Sequence, residues 1–373
     1  MAKPIILAVV EDPGAANMVK DLPLELAGHG VDLRIMAVNH AAKYLDDRNV
    51  KHEIWSQSSP EQLLNLMSPE LIVVGSSDNK DSPVLALILA AREKQIPTIG
   101  FVDMRMNADR RFKGHSEDSL AFVPDYLVVP DQNTADDYIK LGLSAERVLP
   151  LGNPQFESVY ERARKILSAT TSLSLREKLL GNTKPTITFV AEPDSTLNPD
   201  LTTANSKYKL KGQSDSKRRC LIVLEEFLAA VSRTQESGQL QLILRLHPRN
   251  TAADFDTYKD QLTINSGGDP LELILASDLV VGMTSMLLLE AAIVGTPTIS
   301  IVPDAMEAQW LPTVAAGITP CATTAEEIDV ALNNWQSQNH LSPKEPWFQP
   351  GALKRIADFL CERIEKDDST RSN

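Results

Sequence analysis

Short apolar runs rich in β-branched residues alternate with amphipathic stretches along this chain, and the whole alternation occurs twice. The first series is PIILAVV (4–10), VDLRIMAV (31–38), HEIWS (52–56), ELIVVGSS (70–77), PTIGFVD (97–103), DYLVVPD (125–131) and RVLPLGNP (147–154). Helix-like segments such as AANMVKDLPLELAGHG and NTADDYIKLGL separate these runs. A charged stretch, QFESVYERARKILSATTSLSLREKLLG (155–181), precedes the restart with PTITFVA (185–191), QLILRLHP (241–248), ASDLVVGM (276–283) and PTISIVP (297–303). Strands spaced by helices make βαβ units, and runs as continuously apolar as LIVV and YLVV suit a parallel sheet covered on both faces. The expected class is α/β, with two Rossmann-like doubly wound parallel-sheet domains facing a cleft. The expected boundaries are 1–155 for the N-terminal domain, 156–182 for a helical linker, 183–345 for the C-terminal domain, 346–366 for a C-terminal helix and 367–373 for a tail. A chain of 373 residues with 43% apolar content has material for two ordinary cores.

Charge narrows the partners. The formal net charge is −13, and residues 1–155 carry 15 basic and 22 acidic groups (−7), leaving 22 and 28 (−6) for the rest. Neither half offers the basic footprint of a nucleic-acid binder. An anionic ligand must therefore be met by a few local cations and backbone N–H groups. No apolar run approaches the roughly 20 residues of a membrane helix. The opening MAKPIILAVVEDPG reads as a first strand and not a signal peptide, because Glu11-Asp12-Pro13 ends its apolar run. Cys220, Cys321 and Cys361 form no metal or disulfide pattern, so a cytoplasmic location is the default.

In doubly wound sheets ligands bind beyond the carboxyl ends of the strands, so those ends hold the candidate residues. LILRLHPRN (242–250) begins as a strand and ends in His247, Pro248 and Arg249, with Arg245 just before. SDLVVGMTSMLLLEAAIVG (277–295) ends a strand at Gly282 and offers Thr284 and Ser285 as a helix start. Free N–H groups and the helix dipole make such a start suited to an anion. Glu290, about one and a half turns further on, is placed to accept hydrogen bonds from a ribose diol. Taken on neighbouring strand ends, the imidazole, hydroxyls and backbone donors read as a site for a nucleotide phosphate. A satisfied histidine in an X-Pro turn and an ordinary capped helix are the plain alternatives. Glu192, ending the first strand of the second half, is placed to meet a base or sugar. The basic run Lys207–Arg219 in the long polar insert 189–220 reads as a solvated loop, with a lid over donor phosphates as the alternative.

These segments resemble the GT-B superfamily of glycosyltransferases. The nearest resemblance is to groups with a His-Pro motif and a later Ser/Thr motif: bacterial sialyl- and polysialyltransferases, Kdo transferases of capsule synthesis, and CDP-glycerol glycerophosphotransferases. In those families the motifs contact the donor phosphate, which implies that role for His247-Pro248 and Thr284-Ser285. The hydrolysing UDP-GlcNAc 2-epimerases are similar in fold and in a Ser-containing helix start followed by Glu, here Ser285 and Glu290. PLGNPQFES (150–158) is similar to the Gly-Asn-Pro segment where the first domain of these proteins hands over to the second.

In the first half, VVEDPGAANMVKDL places Asp12, Gly14 and Ala15 in the turn after the first strand, and GSSDNKDSP places Ser76 and Ser77 after another. The resemblance implies that such loops form the acceptor side. TIGFVDMRMNADRRF (98–112) runs from a strand into Asp103, followed by Arg105, Arg110 and Arg111. Inverting glycosyl transfer needs a group to take the proton of the attacking hydroxyl. Asp103 has the position and type for this, with Asp12 in reserve, and nearby arginines would keep Asp103 ionised. Arg105 is also placed to hold an anionic acceptor. The acidic pair followed by glycine that sialyltransferases use as their base is absent. His247 completes the catalytic set, stabilising the leaving phosphate with Arg249 and the Thr284/Ser285 helix start. Trp347 and Phe348, in EPWFQPG (345–351), read as a pin for the final helix.

The sequence therefore points to a metal-independent glycosyltransferase needing no cofactor. Its partners would be a CMP-, CDP- or UDP-linked donor, with cytidine favoured by the resemblance, and a glycan or small hydroxyl acceptor. A homodimer is compatible with this reading. A sugar-nucleotide epimerase on the same scaffold and a catalytically silent sugar-nucleotide or glycan binder are the alternatives.

Overall fold

The computed structural model describes residues 3–56, 58–193, 207–234, 239–337 and 346–371. The chain divides into two compact units: Met1–Glu157 with Gln349–Asn373, and Ser158–Phe348. Each is built on one wholly parallel sheet, as the doubly wound reading expects.

The first sheet has strands β1 (Ile5–Val10), β2 (Asp32–Ala37), β3 (Glu53–Ile54), β4 (Leu71–Gly75), β5 (Thr98–Phe101), β6 (Tyr126–Val128) and β7 (Val148–Leu149). Their spatial order is β3-β2-β1-β4-β5-β6-β7. The pleat sends successive side chains to opposite faces, and the two faces belong to separate cores. Ile6, Ala8, Val10, Leu71 and Val73 enter one; Leu7, Val9, Ile72 and Val74 enter the other. Both faces being covered explains why these strands read as unbroken apolar runs. The first core is completed by the helix Ala352–Arg371, which contributes Ile356, Ala357, Phe359, Leu360 and Ile364. Arg355 Nε fastens that helix by donating to the carbonyl of Leu151 at 3.0 Å.

The second sheet has β8 (Thr186–Val190), β9 (Gln241–Arg245), β10 (Thr263–Asn265), β11 (Leu279–Gly282), β12 (Thr298–Ile301) and β13 (Cys321–Ala322), in the order β10-β9-β8-β11-β12-β13. The short edge strands β10 and β13 have no counterpart among the sequence-predicted runs. Two or three residues beside one neighbour carry too little pattern to be recognised. The helix Arg219–Thr234 buries Cys220, Leu221, Ile222, Val223, Leu224, Phe227 and Leu228 in the core of this unit, with Ile187 and Phe189 of β8. Phe348 packs its ring on Tyr160 at 6.2 Å between centroids.

Local chemistry starts many helices where the sequence punctuates them. Pro60 and Pro83 occupy first turns, where the missing N–H has no helical partner to lose. Ser59 and Gln62 form a reciprocal capping box. Among the described residues no helix is long and apolar enough to cross a membrane. Residues 194–206 of the polar insert lie outside the described residues, so the lid alternative concerns a segment only partly described.

Candidate functional site

Each sheet reverses its winding at one place, between β1 and β4 in the first unit and between β8 and β11 in the second. Such switch points open a crevice at the carboxyl ends of the strands. In the second unit β11 approaches β8 closely because Gly282 has no side chain: a Cβ there would lie 2.5 Å from Val190 Cγ2.

The strand ends at that place carry Glu192 after β8, His247 after β9 and Thr284 after β11. The sequence reading puts His247 and the Thr284/Ser285 helix start on neighbouring strands. The structure corrects this: β8 lies between them, and Glu192 fills the gap. Glu192 Oε1 accepts the backbone N–H of Thr284 at 2.6 Å, and the Thr284 hydroxyl lies 3.3 and 3.4 Å from the two carboxylate oxygens. The N–H expected to meet a phosphate thus already serves a carboxylate, supplied by the adjacent central strand.

Glu192 is itself held from behind. Arg219 Nη1 donates to its Oε2 at 2.6 Å, while Arg219 Nε donates at 2.9 Å to Glu307 Oε2, which also receives Nη2. Burial opposes the charge on Arg219, but Glu192 and Glu307 outweigh it and hold the guanidinium protonated above the ordinary arginine range. Burial pushes the Glu307 carboxyl up despite Arg219. Arg219 is therefore no part of a solvated basic loop. It opens a core helix with its side chain 8% exposed.

His247 sits in a tight turn in which Asn250 N–H donates to the His247 carbonyl at 2.8 Å. Its Nδ1 accepts the Arg249 backbone N–H at 3.1 Å, which assigns the proton of the neutral ring to Nε2. Burial lowers the His247 pKa, Arg249 lowers it further, and Glu192 works in the opposite direction. Pro248 and Arg249 are exposed. Ser285 caps the helix Met286–Ile293, its hydroxyl accepting Leu287 N–H at 3.2 Å, and Glu290 is half-buried on that helix. Arg245 turns toward the sheet edge, where its Nη1 donates to Asn265 Oδ1 at 2.5 Å and its Nη2 to the Gly268 carbonyl at 3.1 Å.

In the first unit the switch point gathers carboxylates. Ser77 Oγ donates to Asp12 Oδ2 at 2.8 Å. Burial pushes the Asp12 carboxyl up; the Ser77 bond pulls it back, while Glu11, Asp103 and Asp78 add to the rise. Asp103 follows β5 and pairs through Oδ1 with buried Arg111 at 2.9 Å; the same Nη1 reaches Ser76 Oγ at 2.8 Å. The backbone at Gly14 lies directly against Asp103, and Ala15 is buried beside Gly75. Arg105 grips Asp137 with two bonds of 2.6 and 3.0 Å. Asn153, from the Gly-Asn-Pro segment, donates to the Asp103 carbonyl at 3.1 Å. Glu11 is 3% exposed: its Oε1 accepts from Asn39 at 2.6 Å and Asn79 at 2.7 Å, and its Oε2 has no partner.

Sequence reasoning missed Arg219 and Glu307 as parts of the second cluster, and Asn39 and Asn79 in the first. The one signal for Arg219 was its position directly before a helix too apolar to be solvated. Among the described residues no group of three or more His, Cys, Asp and Glu side chains is arranged to hold a metal ion.

No protein-family model matches this sequence, and no curated protein matches it. Solved structures do match it in fold. The UDP-GlcNAc 2-epimerase of Neisseria meningitidis, bound to UDP-GlcNAc, superposes with a TM-score of 0.68 at 14% identity, covering 96% of this chain and 100% of its own. The Methanocaldococcus jannaschii UDP-GlcNAc 2-epimerase gives 0.67 at 15% identity, with 96% and 99% covered. The Anabaena protein HepE in complex with UDP-glucose gives 0.56 at 14%, with 99% of each chain covered. At these identities the likeness establishes the fold, two Rossmann-like domains of the GT-B type.

Proposed function

We propose that the protein is a sugar-nucleotide enzyme that binds a uridine diphospho-sugar in its second unit and turns it over without an acceptor, in the manner of a UDP-GlcNAc 2-epimerase. The observation that carries this reading is the row of His247, Glu192 and Thr284 at the switch point of the second sheet, where a doubly wound fold receives nucleotides. The match to epimerase chains along nearly their whole length supports the reaction class by analogy of fold. Neighbours solved with UDP-GlcNAc, UDP or UDP-glucose make uridine the first nucleotide to test, ahead of the cytidine favoured by motif resemblance.

Inverting C2 of an N-acetylglucosaminyl nucleotide requires its C2–H bond to break. That proton becomes removable when its electron pair forms a C1–C2 double bond and UDP departs with the C1–O pair. Protonation of C2 from the other face with return of UDP to C1 completes the change. The reaction needs a carboxylate poised for proton transfer and donors for the departing pyrophosphate. We assign the first role to Asp12, whose carboxyl is raised by burial and by Glu11, Asp103 and Asp78, with Asp103 as the second candidate. We assign the second role to His247 Nε2–H, Arg249 and the Ser285 helix start, with Glu290 on the ribose.

A transferase remains the second reading, favoured by the His247-Pro248 turn followed by the Thr284-Ser285 helix start. The two are separated by UDP-GlcNAc alone in D2O. An epimerase incorporates deuterium at C2 and changes the sugar, a simple hydrolase releases UDP with no deuterium at C2, and a transferase leaves the sugar nucleotide intact until a hydroxyl acceptor is added. Calorimetry finding no affinity for UDP, CDP or CMP would remove both.

A further inference from the structure

We propose that Arg219 is a positioning residue for the nucleotide site: it fixes Glu192 against the Thr284 backbone and offsets its charge, so that an anionic ligand can approach. This inference rests on the second unit being the nucleotide-binding unit.

A guanidinium this deeply buried is tolerated only when its donors are matched by charge. Arg219 meets two carboxylates on two edges of its fork, Glu192 through Nη1 and Glu307 through Nε and Nη2. Glu307 is 2% exposed and stands in the turn Ala305–Trp310 after β12, so Arg219 ties the end of β8 to a segment anchored beyond β12. Glu192 takes the Thr284 N–H on Oε1 and the Arg219 Nη1 on Oε2, with the Thr284 hydroxyl near both oxygens, so its side chain has one arrangement that serves all three donors. The formal charges of Glu192, Arg219 and Glu307 sum to −1. Without the arginine two carboxylates would share a dry site at −2, and a phosphate would face them unscreened. Lysine keeps the charge but has no planar fork, so it cannot serve both carboxylates in this geometry.

The test is Arg219→Lys in the full chain. The readouts are UDP affinity by calorimetry and the Thr284 amide by NMR, because an amide donating to a carboxylate over 2.6 Å resonates far downfield. We expect UDP to bind about tenfold or more weakly, the loss of one hydrogen bond to a charged group. The Thr284 amide should move upfield and exchange faster while the rest of the spectrum holds. UDP affinity equal to that of the unaltered protein, or an unmoved Thr284 amide, overturns the proposal. A purely structural arginine would lower thermal stability without either change, which also overturns it. Should the variant not fold, a UDP titration of the unaltered protein decides. The Arg219 Nε–H and Thr284 amide signals should shift together, and movement of Thr284 alone overturns the coupling. If the unaltered protein does not bind UDP, the nucleotide reading itself falls, and this one with it. If UDP binds and only the arginine results are null, this inference falls alone.

Discussion

A Cβ placed on Gly14 would overlap the Asp103 carboxylate, so the first turn of the helix Pro13–Val19 and the Asp103 side chain after β5 stand this close because residue 14 has no side chain. The contact joins the two acidic candidates of the first unit, since Asp12 stands two residues before Gly14. We expect Gly14→Ala to displace Asp103 and to destabilise the first unit by about 1–3 kcal/mol, the usual cost of overpacking. Urea unfolding followed by Trp55 fluorescence, in a background with Trp310, Trp335 and Trp347 replaced by Phe, measures it, and an unchanged midpoint would contradict the contact.

Arg111 carries a heavier consequence. Its guanidinium is buried and serves Asp103 Oδ1, Ser76 Oγ and the Met106 carbonyl. We expect Asp103→Ala to cost about 3–5 kcal/mol, because it leaves that charge without its counter-ion. The double variant Asp103→Ala with Arg111→Met should recover much of the loss. A double variant as unstable as the single one would show that the pair matters for shape and not for charge.

Asp12 should give stability a pH dependence of definite sign. Its carboxyl is raised above 3.8 by burial, opposed by Ser77 and reinforced by the neighbouring acids. The folded state therefore binds the proton more tightly than the unfolded chain. The resulting stability is present below the unfolded value and is lost as pH rises through the folded one. We expect Asp12→Asn, which still accepts from Ser77, to flatten that decline in urea midpoints taken from pH 4 upward. If Asp12 transfers the proton, the acid limb of the turnover profile also lies above the ordinary aspartate range, and the variant loses it.

His247 titrates in the other sense. Burial and Arg249 lower its pKa against the pull of Glu192, so the ring is neutral in the fold at pH 7 and its contribution to stability is lost as pH falls below about 6.5. We expect His247→Ala to weaken UDP binding about tenfold or more, as loss of a donor to a charged phosphate would. Ser285→Ala should cost about 1 kcal/mol as a lost helix cap. Calorimetry reads the first effect and thermal unfolding the second.

The central strands were legible because, covered on both faces, they admit only apolar side chains and small hydroxyls that can be satisfied locally. LIVV in β4 and TITFV in β8 are buried throughout. β13 was not legible, since two residues at an edge carry no period. At the strand ends the residue types could be read but not their partners. Arg105 suited an acceptor anion in sequence, yet it is matched by Asp137, 32 positions downstream. Arg219 looked solvated after a basic run, and only the convergence of β8 and the turn after β12 brings Glu192 and Glu307 to it. Adjacency of strands is likewise absent from residue order, which is why His247 and Thr284 seemed neighbours.

The helix Ala352–Arg371 supplies part of the core beneath β1 and β4. During synthesis every residue of the second unit is made before this last wall of the first. Until residues 352–364 emerge, the core they share with Ile6, Val10 and Val73 is incomplete, and the apolar surface left open to water invites chaperones. A chain cut before residue 352 should accordingly gather in inclusion bodies, even though every residue of its second sheet is intact.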